Sequence, residues 1–155
     1  MKHLSQIQAE FLKKSADNEL EGNDLEGIVV DIEKSTVENN NFRQVLYTGT
    51  KSQLVLMSLK PSEDIGEEVH EDTDQFFRID QGSGVVVIND VENTIKDGSA
   101  FIVPAGAKHN VINTGTEDLK LYSIYSPPHH QDGTIHKTKE EVQASKEQFD
   151  GKTTE

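Results

Sequence analysis

Short apolar runs alternate with turn residues through most of this chain. Val45–Tyr47 and Gln53–Leu59 are divided by Thr48-Gly49-Thr50. Gln75–Ile79 ends at Asp80-Gln81-Gly82, and Gly84–Ile88 ends at Asn89-Asp90, a two-residue hairpin signal ahead of Val91–Ile95. Asp97-Gly98 leads to Phe101–Val103 and His109–Ile112, and Asn113-Thr114-Gly115 opens onto Leu119–Tyr125. Pro127-Pro128 closes that last run, because proline has no N–H to give a ladder. Gly27–Ile32 reads as one more strand ahead of the others. Strands this short and closely spaced, with no helical segment between them, predict an all-β sandwich or barrel.

The two ends follow a different pattern. Ile7, Phe11 and Leu12 can share one face of a short helix over residues 4–15, or the segment is a mobile polar arm. Thr138 followed by Glu141 has the spacing of a capping box, so a helix is expected from Thr138 onward, with Gly151 as its stop. The chain therefore divides into an N-terminal polar extension (1–25), a β barrel (26–136) and a C-terminal helix or tail (137–155).

Composition narrows the functional classes. At 155 residues the chain is long enough for one buried core. Its net charge of −13 argues against nucleic acid and anionic membrane, which reward basic surfaces. There is no cysteine, so any metal must be held by His, Asp, Glu, Gln or backbone. No apolar run approaches the roughly 20 residues that span a bilayer, and the first residues lack the apolar core of a signal peptide. The cytoplasm is the expected compartment.

Candidate chemistry concentrates in two stretches. The first runs Gly98-Ser-Ala-Phe-Ile-Val-Pro104-Ala-Gly106-Ala-Lys-His109-Asn-Val-Ile-Asn113. In the second, Glu68 and His70 stand at i and i+2, so a strand would project both to one face. Gln75 and then Gly82 follow.

The spacing Gly98, Pro104, Gly106, His109, Asn113 resembles the second signature motif of the cupin superfamily, and residues 62–82 resemble its first motif in part. Glu68 stands there for the usual first histidine, Gln75 for the glutamate and Ser62 for the opening glycine. The resemblance implies a cupin jelly-roll barrel of the small, single-domain cupin-2 type. It also implies a divalent metal (Fe, Zn, Mn or Ni) held by Glu68, His70, Gln75 and His109. Two imidazoles and one carboxylate with open positions suit non-haem Fe(II) without excluding the others. A second register would pair His70 with Asp72, and His109 could instead be a hydrogen-bonded core histidine.

Function is less constrained than fold. The superfamily resemblance allows a metal-dependent enzyme on a small polar molecule, of dioxygenase or isomerase type, with Glu68 or His136 moving protons. A non-catalytic ligand-binding or sensing barrel is the alternative. A small molecule and a second copy of the chain, as a homodimer, are the expected partners. The segment 122–136 holds His129, His130 and His136. It reads either as a lid that brings His136 over the barrel mouth or as an exposed crossing loop. Phe77 and Ile79 share strand parity with Gln75 and should face inward, whereas Arg78 should face outward, most simply in an ion pair.

Overall fold

The computed structural model describes residues 24–155. The helix expected at 4–15 lies outside the described residues. Helix α1 is Ile32–Glu38. Eight strands follow without interruption: β1 Arg43–Thr48, β2 Gln53–Leu59, β3 Asp74–Gln81, β4 Ser83–Ile88, β5 Val91–Lys96, β6 Ala100–Val103, β7 His109–Ile112 and β8 Leu119–Ser126. A two-residue strand β9, Ile135–His136, and helix α2, Lys139–Ala144, complete the order.

Two antiparallel sheets face each other, as expected of a jelly roll. One has the order β6-β3-β8-β2-β1-β9 and the other β5-β4-β7. Isolated bridges Asp64↔Ile112 and Glu68↔His109 lay residues 64–68 along the free side of β7. The core between the sheets comes from alternate residues of each strand, including Val45, Val55, Met57, Phe77, Ile79, Val111 and Leu121. Phe77 and Ile79 are fully buried, as their parity with Gln75 requires. Arg78 faces outward and pairs with Asp80 through Nε–Oδ1 at 3.5 Å.

Glycine is needed where strands and turns crowd. An added Cβ at Gly84 would lie 2.3 Å from the carbonyl oxygen of Ile112, so β4 and β7 can pair only with hydrogen at that position. Gly106 has φ +87°, which lets the Pro104-Ala105-Gly106 turn reverse directly into His109.

Two expectations about the ends are corrected. Gly27–Ile32 forms no strand: Val29 is 95% exposed, and Asp31 caps α1 by accepting from the Lys34 amide at 3.2 Å. A side-chain cap with Glu33 in the first turn outcompetes a β-branched run that buries little. The second helix begins as expected, with Thr138 accepting from the Glu141 amide, but ends at Ala144 instead of Gly151. Beyond it the chain bonds back to the barrel. Phe149 N–H donates to His129 C=O at 3.0 Å and Thr154 N–H to Thr48 C=O at 2.9 Å, replacing the bonds a longer helix would make. No helix among the described residues is long and apolar enough to cross a membrane.

Candidate metal centre

The bridge between Glu68 and His109 builds the site. Their backbones exchange both hydrogen bonds, each 2.9 Å, which fixes the two side chains beside each other at the start of β7. Gly106 N–H donates to His70 C=O at 2.9 Å, so the same tight turn that delivers His109 also anchors His70. One ligand atom each from Glu68, His70 and His109 then falls within 4.8 Å of the others. The register that pairs His70 with Glu68 is therefore the one found, and Asp72 is exposed.

The donor set fits a divalent cation. His109 Nδ1 lies 3.0 Å from the carbonyl oxygen of Ala107, a contact in which it donates. That bond leaves Nε2 as the free lone pair, and Nε2 is buried without any hydrogen-bond partner. An orphaned imidazole nitrogen in a protein interior is costly unless something binds it. His70 Nε2 and Glu68 Oε2 are 3.0 Å apart. Burial pushes the Glu68 carboxyl up, but the His70 hydrogen bond and the charge of Arg43 outweigh that and hold it below its ordinary range. Glu68 is thus a carboxylate at neutral pH, as a ligand must be.

Gln75 sits on β3 of the larger sheet, whereas His109 begins β7 of the smaller one. Its Nε2 donates to Ser123 Oγ at 3.3 Å, and its Oε1 is buried without a partner. The residue is 2% exposed, so this oxygen is a second orphan of the same interior. Glu68, His70 and His109 form one cluster.

His136 does not belong to that cluster. It sits on β9, paired in register with Arg43 of β1, and is buried. No lid forms there. The segment expected as an exposed loop is likewise packed down: His130 is 5% exposed, and His129 lies against His70 with ring centroids 4.3 Å apart. The fully buried Gln53 accounts for this. Its Oε1 accepts from the amides of His129 (3.2 Å) and His130 (2.9 Å), and its Nε2 donates to His130 C=O at 2.7 Å.

A hydrogen-bonded chain follows from this packing. Tyr125 O–H donates to His130 Nε2 at 3.1 Å, and His130 Nδ1–H donates to Glu147 Oε1 at 2.6 Å. Burial pushes the Tyr125 phenol up to about 12 and the His130 imidazole down. Burial acts against the Glu147 carboxylate, but the His130 bond and the Gln131 amide hold its value below normal. Neutral Tyr125, neutral His130 and anionic Glu147 are mutually consistent. Residue spacing alone could not reveal this chain, because its members are separated in sequence and joined only by the tail. A cavity of about 410 Å³ reaches His70 from outside, lined also by Val69, Thr73, Pro127, His129 and Phe149.

The family model described as Cupin domain matches residues 55–125. The uncharacterized protein YrkC of Bacillus subtilis is 49% identical over 125 residues, covering 77% of this chain and 67% of its own. This chain belongs to the cupin family. A protein of Acanthamoeba polyphaga mimivirus is 42% identical to this cupin over 111 residues, covering 69% of each chain. The crystal structure of BH2720 from Bacillus halodurans superimposes on the cupin with a TM-score of 0.76 at 44% identity. That match covers 77% of this chain and 96% of the other.

Proposed function

We propose that this cupin is a metal-dependent enzyme acting on a small polar molecule, of dioxygenase or isomerase type. Glu68, His70 and His109 hold the divalent cation, with Fe, Zn, Mn and Ni all suited to the donors, and Gln75 offers a weak fourth oxygen. The observation that carries this reading is the convergence of three ligand atoms within 4.8 Å around an orphaned His109 Nε2. A divalent ion bound there supplies Lewis acidity toward a carbonyl or hydroxyl of the substrate. In this reading Glu68, anionic at neutral pH, takes a proton from that substrate. The cavity that reaches His70 provides the way in.

Elemental analysis of protein purified without added metal, followed by thermal melts with each ion, tests the metal. Retained metal and a raised midpoint are expected, with both lost in His109→Ala. Protein that holds no divalent ion and gains no stability from any would overturn the reading. A screen over sugar phosphates and small dicarbonyls, with each ion supplied, then tests for turnover.

A non-catalytic ligand-binding role is the second reading. The bond between His70 and Glu68 favours it, since it occupies groups that catalysis would need free. Metal-dependent turnover abolished by His109→Ala would exclude it.

A further inference from the structure

Strands β1 and β9 set next to each other two side chains that each keep buried nitrogens without a hydrogen-bond partner. Arg43 and His136 are direct register partners, and Arg43 is also paired with Met57 of β2, a residue of the inner core. Val45, two residues along β1, is core as well, so Arg43 and His136 lie on the inner face of the larger sheet. Arg43 is only 3% exposed and His136 7%. Nε and Nη2 of Arg43 and Nδ1 of His136 are all buried without a hydrogen-bond partner. The guanidinium carbon stands 6.0 Å from the centroid of the Phe42 ring, a contact that leaves its N–H groups unanswered.

The charges of Glu68 and Glu147 act on this guanidinium, but its Nε and Nη2 donors meet no oxygen, and buried donors left unmet are costly, so the pair calls for an anion that accepts from both. The two open Arg43 nitrogens identify which anion. Nε and Nη2 form one edge of the guanidinium, with two parallel N–H bonds spaced to meet both oxygens of a carboxylate. His136 can add a third donor as its Nδ1–H tautomer. A phosphate would bring a second negative charge into an interior that already holds the Glu68 carboxylate. The charge of Arg43 also bears on Glu68, Tyr125 and His130, which places its field at the metal ligands.

We propose that Arg43 and His136 form a carboxylate-binding subsite inside the barrel, so that the ligand of this cupin is a small carboxylic acid. The carboxylate docks on the Arg43 edge, and the remainder of the molecule extends toward Glu68, His70 and His109. Only that second statement rests on the reading of those three residues as a metal centre.

Calorimetric titration of the full chain with acetate, glycolate, pyruvate and malonate tests the subsite, with acetamide and glycolamide as uncharged controls. Each titration is run on metal-free and on zinc-supplied protein, with zinc content measured in every sample. At least one carboxylate is expected to bind, and its amide is not. Arg43→Lys should weaken binding by about tenfold or more, because an ammonium cannot make the fork, and Arg43→Gln should abolish it. Should these variants fail to fold, the wild-type protein still decides. It has two arginines, Arg43 and Arg78, and the Arg43 Nε–H resonance should move with the carboxylate and not with the amide. No binding by any of the four acids, equal binding of acid and amide, or undiminished binding in Arg43→Gln would overturn the subsite. Carboxylate binding with no zinc retained would uphold the subsite and count against the metal centre alone.

Discussion

Glu147 Oε1 lies 2.6 Å from His130 Nδ1, tying the tail that follows the last helix to the inner end of the barrel. Glu147 Oε2 also accepts from the Gln131 amide at 2.7 Å. Loss of the carboxylate would leave His130 buried with an unmet donor. Glu147→Ala is expected to cost about 2–3 kcal/mol in urea unfolding, the range for a buried charge-assisted bond. A cost below about 0.5 kcal/mol would mean that the tail is not held by this contact.

The same pair sets an acid limit on stability. His130 has a folded value below its ordinary 6.5, so as pH falls under 6.5 the unfolded chain takes up a proton that the native chain refuses. Glu147 is also depressed, from an ordinary 4.5, and its contribution is present above that value and lost as pH falls through the folded one. Stability should therefore decline from about pH 6.5 downward and more steeply below 4.5. Urea midpoints of metal-free protein across this range check it, and His130→Gln should flatten the upper part of the decline.

Alkaline titration gives a separate view of the interior. Of three tyrosines, Tyr125 is raised to about 12 mainly by burial, and Tyr47 to about 12 by burial and by Glu155. A folded phenol that resists ionisation loses stability as pH rises from about 10 toward 12, since the unfolded chain ionises first. Ultraviolet absorbance of phenolate should show two tyrosines ionising only near pH 12 or on unfolding. Tyr125→Phe should leave one of them and cost about 1–2 kcal/mol through the lost bond to His130.

Gln75→Glu separates metal affinity from fold stability. In metal-free protein it buries a second carboxyl near Glu68 and should destabilise by about 1–3 kcal/mol. With a divalent ion present, a carboxylate oxygen replaces an amide oxygen and should tighten binding by about tenfold. Competition with a chelating dye measures the second effect and urea unfolding the first. Unchanged metal affinity would remove Gln75 from the ligand set.

Gly84→Ala probes the pairing of β4 with β7, the strand that begins at His109. A methyl group 2.3 Å from the Ile112 oxygen must push the strands apart, at an expected cost of about 3 kcal/mol or more. Reduced zinc binding should accompany it, since the Glu68–His109 bridge lies on the other side of the same strand.

The strand ladder was readable in the sequence, because each short apolar run from Val45 to Tyr125 is bounded by residues that turn. The Asn89-Asp90 hairpin is a local device too, with both residues at positive φ. Glu68, His70 and His109 were legible through spacing, since i, i+2 parity and a tight turn ahead of a strand are short-range facts. Tertiary packing alone decided the rest. Bonds from Glu147, Phe149 and Thr154 to the barrel ended the last helix early. Gln53 drew His129 and His130 inward, and the pairing of β9 with β1 placed His136 beside Arg43 instead of over the mouth. The placements of His129, His130 and His136 depend on which buried group finds a partner across more than 75 residues of chain, and no local pattern encodes that.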